Sequence, residues 1–162
     1  MNVLIIYDSA YGNTAAVAKT MATAISGQHH VIAKQVSKAS VTDISEADIV
    51  IISSPTQGGM PTRSIQRYIN ELPPHTLKGK TVAAFDTRFS MHGHGRWLGF
   101  LTRVVGFAAP RIASGLQDKG GILILPPEGF IVEDKQGPLA KYESRRAADW
   151  IKSSVARWFF AP

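Results

Sequence analysis

The sequence of 162 residues contains no cysteine. This absence excludes disulfides, thiolate metal sites, iron–sulfur clusters and cysteine nucleophiles. The chain also lacks a long apolar run, and no basic leader precedes its first apolar segment, Val3–Tyr7. We therefore expect neither a signal peptide nor a membrane span, and a cytoplasmic location follows as the default expectation. A chain of this length can bury one core and is expected to form a single domain.

An excess of acidic residues is absent as well. The chain has 18 Lys and Arg residues against 12 Asp and Glu residues, which gives a formal net charge of +6. A basic chain favours an anionic partner or surface. The basic residues are spread along the sequence without interleaved aromatics, so the pattern does not favour nucleic-acid binding.

The first apolar run is followed directly by a polar segment rich in hydroxyls and glycine, Ser9–Thr14. A helix is predicted from about Thr14, because apolar residues recur on one stripe after it. A turn between a strand and a helix aims free backbone amides and the positive helix end at one point, and hydroxyls add further donors. The segment therefore predicts a phosphate site. The alternative is a polar turn in which Asn13 caps the helix.

Two common phosphate-binding motifs are missing from this segment. It has no Gly-Lys-Ser/Thr, as nucleoside-triphosphate loops do, and no Gly-x-Gly-x-x-Gly, as dinucleotide loops do. What remains is hydroxyl-x-x-Gly-x-Thr directly after the first strand, which resembles the phosphate loop of the flavodoxin family. In that family the loop binds the terminal phosphate of flavin mononucleotide (FMN) with hydroxyls and amides and without lysine. The resemblance implies FMN as the cofactor.

Short apolar runs alternate regularly with helical patterns along the whole chain. Continuous apolar strands indicate burial on both faces, which is typical of a parallel sheet covered by helices on both sides. Right-handed crossovers favour a flavodoxin-like three-layer α/β/α sandwich with a five-stranded parallel sheet of order 2-1-3-4-5. The predicted strands are Val3–Tyr7, His30–Gln35, Asp48–Ser53, Thr81–Phe85 and Ile122–Leu125, the last interrupted by two prolines before Phe130–Val132. Helices are predicted to begin near Thr14, Thr62, Pro110 and Pro138.

Two further loops are expected at the same edge of the sheet, Ser54–Thr62 after strand three and Asp86–Gly95 after strand four. Ser-Pro-Thr-x-Gly-Gly in the first loop, and Phe85–Arg88 before the second, resemble the two flavin-ring loops of flavodoxin-domain proteins. The segments Pro126–Phe130 and Gly137–Leu139 are similar to later parts of such proteins. The resemblance therefore covers most of the chain and implies one flavodoxin-like domain over residues 1–162.

The resemblance also assigns residues to a bound flavin. Phosphate contacts would come from Ser9, Ala10, Tyr11, Gly12, Asn13 and Thr14. The ribityl chain and the ring would contact Pro55, Thr56, Gln57, Gly58 and Gly59. The other side of the ring would be lined by Asp86, Thr87, Arg88 and Phe89. In the family a peptide of the loop after strand three can turn toward the ring nitrogen N5. Gly58 and Gly59 would allow such a turn at low energetic cost, because glycine accepts positive φ angles. No catalytic side chain and no metal ligand is predicted.

Two features depart from the family pattern. Gln57 stands where many flavodoxins have a stacking aromatic, and Phe89 is the nearest aromatic in the second ring loop, so we predict weakened FMN binding. Flavodoxins are also usually acidic, whereas this chain is basic. The basic residues expected near the ring are Arg88, His92, His94 and Arg96. Cations favour the negative charge of a reduced flavin, so full reduction is predicted to be easier than in acidic relatives.

The leading functional prediction is an FMN-binding electron carrier whose redox partner protein has an acidic docking face. One alternative is an enzyme, either a flavodoxin-like NAD(P)H-dependent quinone reductase acting on a small quinone-like substrate or a porphyrinogen oxidase-like protein. Another is a flavodoxin fold that has lost its cofactor and serves as an interaction protein. The apolar segment Trp97–Phe107 is predicted as a short helix packed on the sheet, with a homodimer or substrate surface as the alternative.

Overall fold

The computed structural model describes residues 1–89 and 106–158. Within these residues the chain forms a six-stranded sheet in which neighbouring strands are parallel. The strands are β1 (Asn2–Tyr7), β2 (His30–Gln35), β3 (Ile49–Pro55), β4 (Thr81–Phe89), β5 (Ile122–Leu123) and β6 (Glu128–Val132). Their order is β2-β1-β3-β4-β5, with β6 paired to β4. The predicted order of the sheet is confirmed.

Helices cover both faces of the sheet and enclose two apolar cores. The described helices are α1 (Asn13–Ile25), a 3₁₀ turn (Val36–Lys38), α2 (Val41–Glu46), α3 (Arg63–Glu71), α4 (Ala108–Asp118) and α5 (Glu143–Trp158). Strand residues alternate between the cores: Ile5 and Ile51 pack with α1 and α5, whereas Ile6 and Ile52 pack with α2, α3 and α4. Each such fully buried isoleucine stabilises the fold by roughly 1.5–3 kcal/mol. The predicted three layers are confirmed.

Two short strands fill the fifth position of the sheet, one more strand than predicted. β5 pairs with Thr81–Val82, and β6 pairs with Phe85–Phe89 farther along the same β4 strand. Pro126 and Pro127 lie between them and lack the amide donors that a continuous strand would need. Because β6 supplies hydrogen-bond partners, β4 continues to Phe89, beyond its predicted end at Phe85. Asp86–Phe89 therefore belong to a strand, not to a loop as predicted.

The last helix begins at Glu143, so the predicted start near Pro138 is wrong. The intervening residues instead run antiparallel to the end of β6. Leu139 pairs with Val132 in an isolated bridge, and the amide of Ala140 donates to the carbonyl of Ile131 at 2.9 Å. The periodicity after Pro138 predicts a helix, but backbone pairing with the end of β6 holds residues 139 and 140 in an extended conformation.

The start of α5 holds β6 in place through charged hydrogen bonds. The Glu143 carboxylate accepts from the amide of Ile131 at 2.7 Å and from Arg146 at 2.6 Å. Arg146 also pairs with Glu128 at 3.0 Å and donates to the carbonyl of Gly129. Burial opposes ionisation of Glu143, but the hydrogen bonds from Arg146 and Ile131 outweigh it and lower the pKa of this carboxyl. The ionised form therefore stabilises the attachment of β6 to α5.

This network predicts an acid-dependent loss of stability. Because the pKa of Glu143 is lower in the folded protein than its ordinary value of 4.5, its carboxylate stabilises the fold above that pH. The contribution is lost as the pH falls through the folded pKa. We expect Glu143→Gln to lower the free energy of unfolding by about 1–2 kcal/mol at pH 7, and the difference to be smaller at an acidic pH below 4.5.

Urea unfolding at the two pH values measures this difference. Glu133→Gln, at an exposed acid that follows the same strand, is the matched control and should change stability little at either pH. A deficit of Glu143→Gln that stays constant with pH would contradict the assignment.

Candidate functional site

A cavity of about 390 Å³ lies where the carboxyl ends of β1, β3 and β4 meet. Its volume is within the roughly 300–1,000 Å³ range of small-molecule sites. Its lining residues are Ser9, Ala10, Tyr11, Asn13, Thr14, Pro55, Thr56, Gln57, Gly58, Thr87, Val132 and Lys135. Most of them come from the three segments predicted to converge at this edge. Parallel pairing explains the convergence, since it brings the carboxyl ends of all strands to one side.

One end of the cavity is formed by the start of α1. Gly12 occupies the N-cap position with φ of 88°, and as a glycine it has no side chain with which to cap the helix. Asn13 is the first helical residue, and its side chain donates to the carbonyl of Gln136 at 3.0 Å. The alternative in which Asn13 caps the helix is therefore wrong. Among the described residues, the backbone amides of residues 10–14 have no hydrogen-bond partner. These amides and the positive helix end suit an anion.

Hydroxyls add donors at the same end. Ser9 Oγ accepts from the amide of Ala15 at 3.2 Å, so its hydroxyl proton stays available. Thr14 Oγ1 and Thr87 Oγ1 lie 2.7 Å apart and are buried. Since this bond uses one of the two hydroxyl protons, the other can still donate. This end of the cavity therefore offers amide and hydroxyl donors to an anion, and the segment Ser9–Thr14 contains no lysine.

Thr87 connects the three segments of the cavity. Its hydroxyl bonds to Thr14 of α1, and its carbonyl accepts from the amide of Thr56 at 2.8 Å. The Thr56 hydroxyl in turn accepts from the amide of Ala108 at the start of α4, at 3.0 Å. Thr87 was expected to line the ring, and the structure places its hydroxyl against the first helix. These bonds fix the distance between the two ends of the cavity.

The loop after β3 makes a tight turn at the cavity rim. Gln57 and Met60 exchange two backbone hydrogen bonds, of 2.9 and 3.0 Å. Between them Gly58 and Gly59 have φ of 55° and 78°, the signs of a type I′ turn. L-residues seldom adopt such angles, so both positions favour glycine. Arg111 of α4 donates from Nε to the Gly59 carbonyl at 3.1 Å and supports the turn from behind.

Some predicted site residues do not line the cavity. Gly12 and Gly59 shape its turns, and Phe89 ends β4 with 36% of its surface exposed. Asp86 is fully buried and accepts from Arg88 at 2.6 and 2.8 Å. The Arg88 guanidinium also lies 3.7 Å from the ring centre of Phe107.

Arg88 was expected to act as a cation near the flavin ring. The structure engages it with Asp86, so its charge is largely compensated there. The expectation that a bound flavin is more easily fully reduced than in acidic relatives stays a prediction.

His92, His94, Arg96 and most of the apolar segment Trp97–Phe107 lie outside the described residues. In residues 1–89 and 106–158, no group of three or more His, Asp or Glu side chains is placed to hold a metal ion. No helix in those same ranges is long and apolar enough to cross a membrane.

Two residues that line the cavity, Val132 and Lys135, were not among the site residues predicted from the sequence. Val132 ends β6, and Lys135 lies in the turn that follows it. They reach the cavity because β6 pairs with the end of β4 and because Asn13 bonds to Gln136. In the sequence, the one indication of this part of the site was the resemblance of Gly137–Leu139 to a later segment of the family. That resemblance assigned no role to any residue.

The fold and the cavity define a doubly wound parallel α/β protein with an anion-suited cleft where the strand order reverses. The Flavodoxin domain family matches residues 4–97, more than half of the chain, and the chain belongs to this family. A search of curated proteins found no match.

Solved structures share the fold at low identity. A flavodoxin from the domain Archaea is 16% identical with a TM-score of 0.76, over 98% of this chain and 99% of that chain. Flavodoxin 1 from Bacillus cereus is 15% identical with a TM-score of 0.74, over 96% and 98%. The flavodiiron protein from Giardia intestinalis is 19% identical with a TM-score of 0.68, over 99% of this chain and 38% of that chain.

The contact between Thr14 and Thr87 predicts a measurable coupling. Thr87→Val leaves the Thr14 hydroxyl buried without its partner, which should cost about 1–3 kcal/mol of folding stability. Replacing both by valine removes both polar groups, so the double variant should lose less than the sum of the single losses. A double-mutant cycle from urea unfolding should give a coupling of about 1 kcal/mol or more. Strictly additive losses would show that the two hydroxyls do not interact.

Proposed function

We propose that this chain binds FMN in the cavity and transfers electrons through it, as a single flavodoxin-like domain spanning residues 1–162. The observation that carries the proposal is the row of backbone amides at residues 10–14, which have no hydrogen-bond partner within residues 1–89 and 106–158, beside the hydroxyls of Ser9 and Thr14. Membership in the Flavodoxin domain family supports flavin binding and electron transfer in general. A bound flavin would supply the redox chemistry, while the protein supplies binding, orientation and electrostatics.

The cavity offers different groups at its two ends. The start of α1 would hold the phosphate, and the helix dipole adds about 0.3–1 kcal/mol for an anion there. Pro55, Thr56, Gln57 and Gly58 line the part toward the β3 loop, where the ribityl chain and the ring would lie. No aromatic side chain comes from that loop, so the ring would lack a stacking partner on this side. This agrees with the expectation of modest affinity.

The proposed phosphate site can be tested by its contribution to the affinity for FMN. Ser9→Ala combined with Thr14→Val removes two hydroxyls beside the proposed phosphate. Hydrogen bonds to a charged group contribute about 1.5–3 kcal/mol each, and about 1.4 kcal/mol changes a dissociation constant tenfold. We expect the Kd for FMN to rise at least about tenfold, because two donors to the phosphate are lost. Riboflavin, which has no phosphate, should bind the variant and the unaltered protein alike. Quenching of flavin fluorescence measures both constants.

A matched control comes from the same helix. Thr23→Val with Ser26→Ala makes the same two chemical changes at the exposed far end of α1, and it should leave the Kd for FMN unchanged. Circular dichroism checks that all variants are folded. Unaltered protein that takes up no FMN at saturating concentration would refute the proposed function. FMN affinity that is equal in both double variants would refute the phosphate assignment.

We propose further that the redox partner has an acidic docking face, because the chain carries a formal charge of +6. Small one-electron acceptors of opposite charge test this field. Electron transfer from the reduced protein to anionic ferricyanide should slow as salt is added, since screening weakens the attraction. Transfer to cationic tris(phenanthroline)cobalt(III) should quicken under the same conditions. Stopped-flow rates at several ionic strengths measure both slopes. Slopes of the same sign, or none, would contradict a positive field at the site of electron exit.

A further inference from the structure

Among the described residues that line the cavity, Lys135 alone carries a charge. It comes from the connection between β6 and α5, not from the three segments that the topology of the sheet brings together. Its ammonium forms no ion pair with the described residues. A lysine that lines a cavity and has no ion-pair partner among the described residues can pair with an anion that enters the cavity.

The turn that carries Lys135 is held at both of its sides. The amide of Glu133 donates to the carbonyl of Pro138, and the amide of Gly137 donates to the carbonyl of Asp134, both at 2.9 Å. The Asp134 carboxylate accepts from the backbone amide of Lys135 at 2.7 Å. These bonds close a short hairpin with Lys135 at its tip. These hydrogen bonds fix the backbone of Lys135, and therefore the position of its Cα atom at the cavity.

The tip of this hairpin is attached to the phosphate end of the cavity. Asn13 donates to the carbonyl of Gln136, the residue next to Lys135. Gly137 lies so close that a Cβ atom there would come within 2.5 Å of the Asn13 side chain. Asn13 begins α1, where the backbone amides have no partner among the residues that the structure describes. The tip of the hairpin that carries Lys135 therefore lies against the end of the cavity that suits an anion.

We infer that Lys135 binds the phosphate group of the flavin nucleotide, an inference that rests on the proposed function. The phosphate loop contributes amides and hydroxyls but no cation, and Lys135 supplies the cation from a separate hairpin. A lysine ammonium acts on a phosphate as a mobile point charge, so its effect is electrostatic and falls with salt. The chain therefore selects phosphorylated flavin over the free vitamin partly by charge.

The experiment compares FMN with riboflavin in three proteins. Lys135→Gln should raise the Kd for FMN about three- to fivefold, the upper part of the range for an exposed charge pair. The Kd for riboflavin should change less than about twofold, because riboflavin has no phosphate. Lys19→Gln removes the same charge from the exposed side of α1 and should leave both constants unchanged. Affinity for FMN should also depend less steeply on salt in Lys135→Gln than in the unaltered protein.

The outcomes separate the inference from the function on which it rests. Unaltered protein that binds neither flavin refutes both. Protein that binds FMN, with no loss in Lys135→Gln or an equal loss for FMN and riboflavin, refutes the role of Lys135 and leaves the proposed function standing. An equal loss of FMN affinity in Lys19→Gln would show that net charge, not position, is responsible, and would also overturn the inference.

Discussion

The parallel pairing of β1, β3 and β4 is the constraint on which the cavity depends. Tyr7 lies beside Ser53, and Pro55 beside Thr87, so the three chain segments leave the sheet at the same edge. Antiparallel pairing of any of these strands would send its loop to the opposite edge. The buried apolar runs impose this arrangement, because strands covered on both faces need helices as crossovers. The cavity is therefore a consequence of how the core is built.

The anion-suited end of the cavity is organised by hydrogen bonds within the protein. The residues around the Thr14–Thr87 contact hold α1 against β4, and the Asn13–Gln136 bond holds a second segment against the same turn. Donors that are fixed in advance bind without a further cost in chain entropy. Within the part of the chain that the structure describes, the amides at the helix start have no partner, and amides at such a position suit an anion without a cationic side chain.

Global charge and local charge differ in this protein. The chain is basic, yet Arg88 is compensated by buried Asp86, and Arg146 is compensated by Glu128 and Glu143. These pairs hold strand ends and helix starts together, and loss of Arg88 would leave the charge of the buried Asp86 without its ion-pair partner. The positive field that a distant partner meets is the sum over the exposed residues. The field inside the cavity is decided by the few side chains that reach it.

The sequence by itself determined the strand order, the two layers of helices and the segment Ser9–Thr14 at the start of α1, because apolar runs, periodicity and turn residues report burial and backbone shape locally. Only the tertiary structure decided that β6 extends the sheet beside β4, that Thr87 bonds to Thr14, and that Arg88 turns to Asp86. It also brought Lys135 to the cavity. Most of these features depend on contacts between segments that are far apart in the chain. A local sequence pattern does not specify which neighbour a strand edge or a side chain will contact.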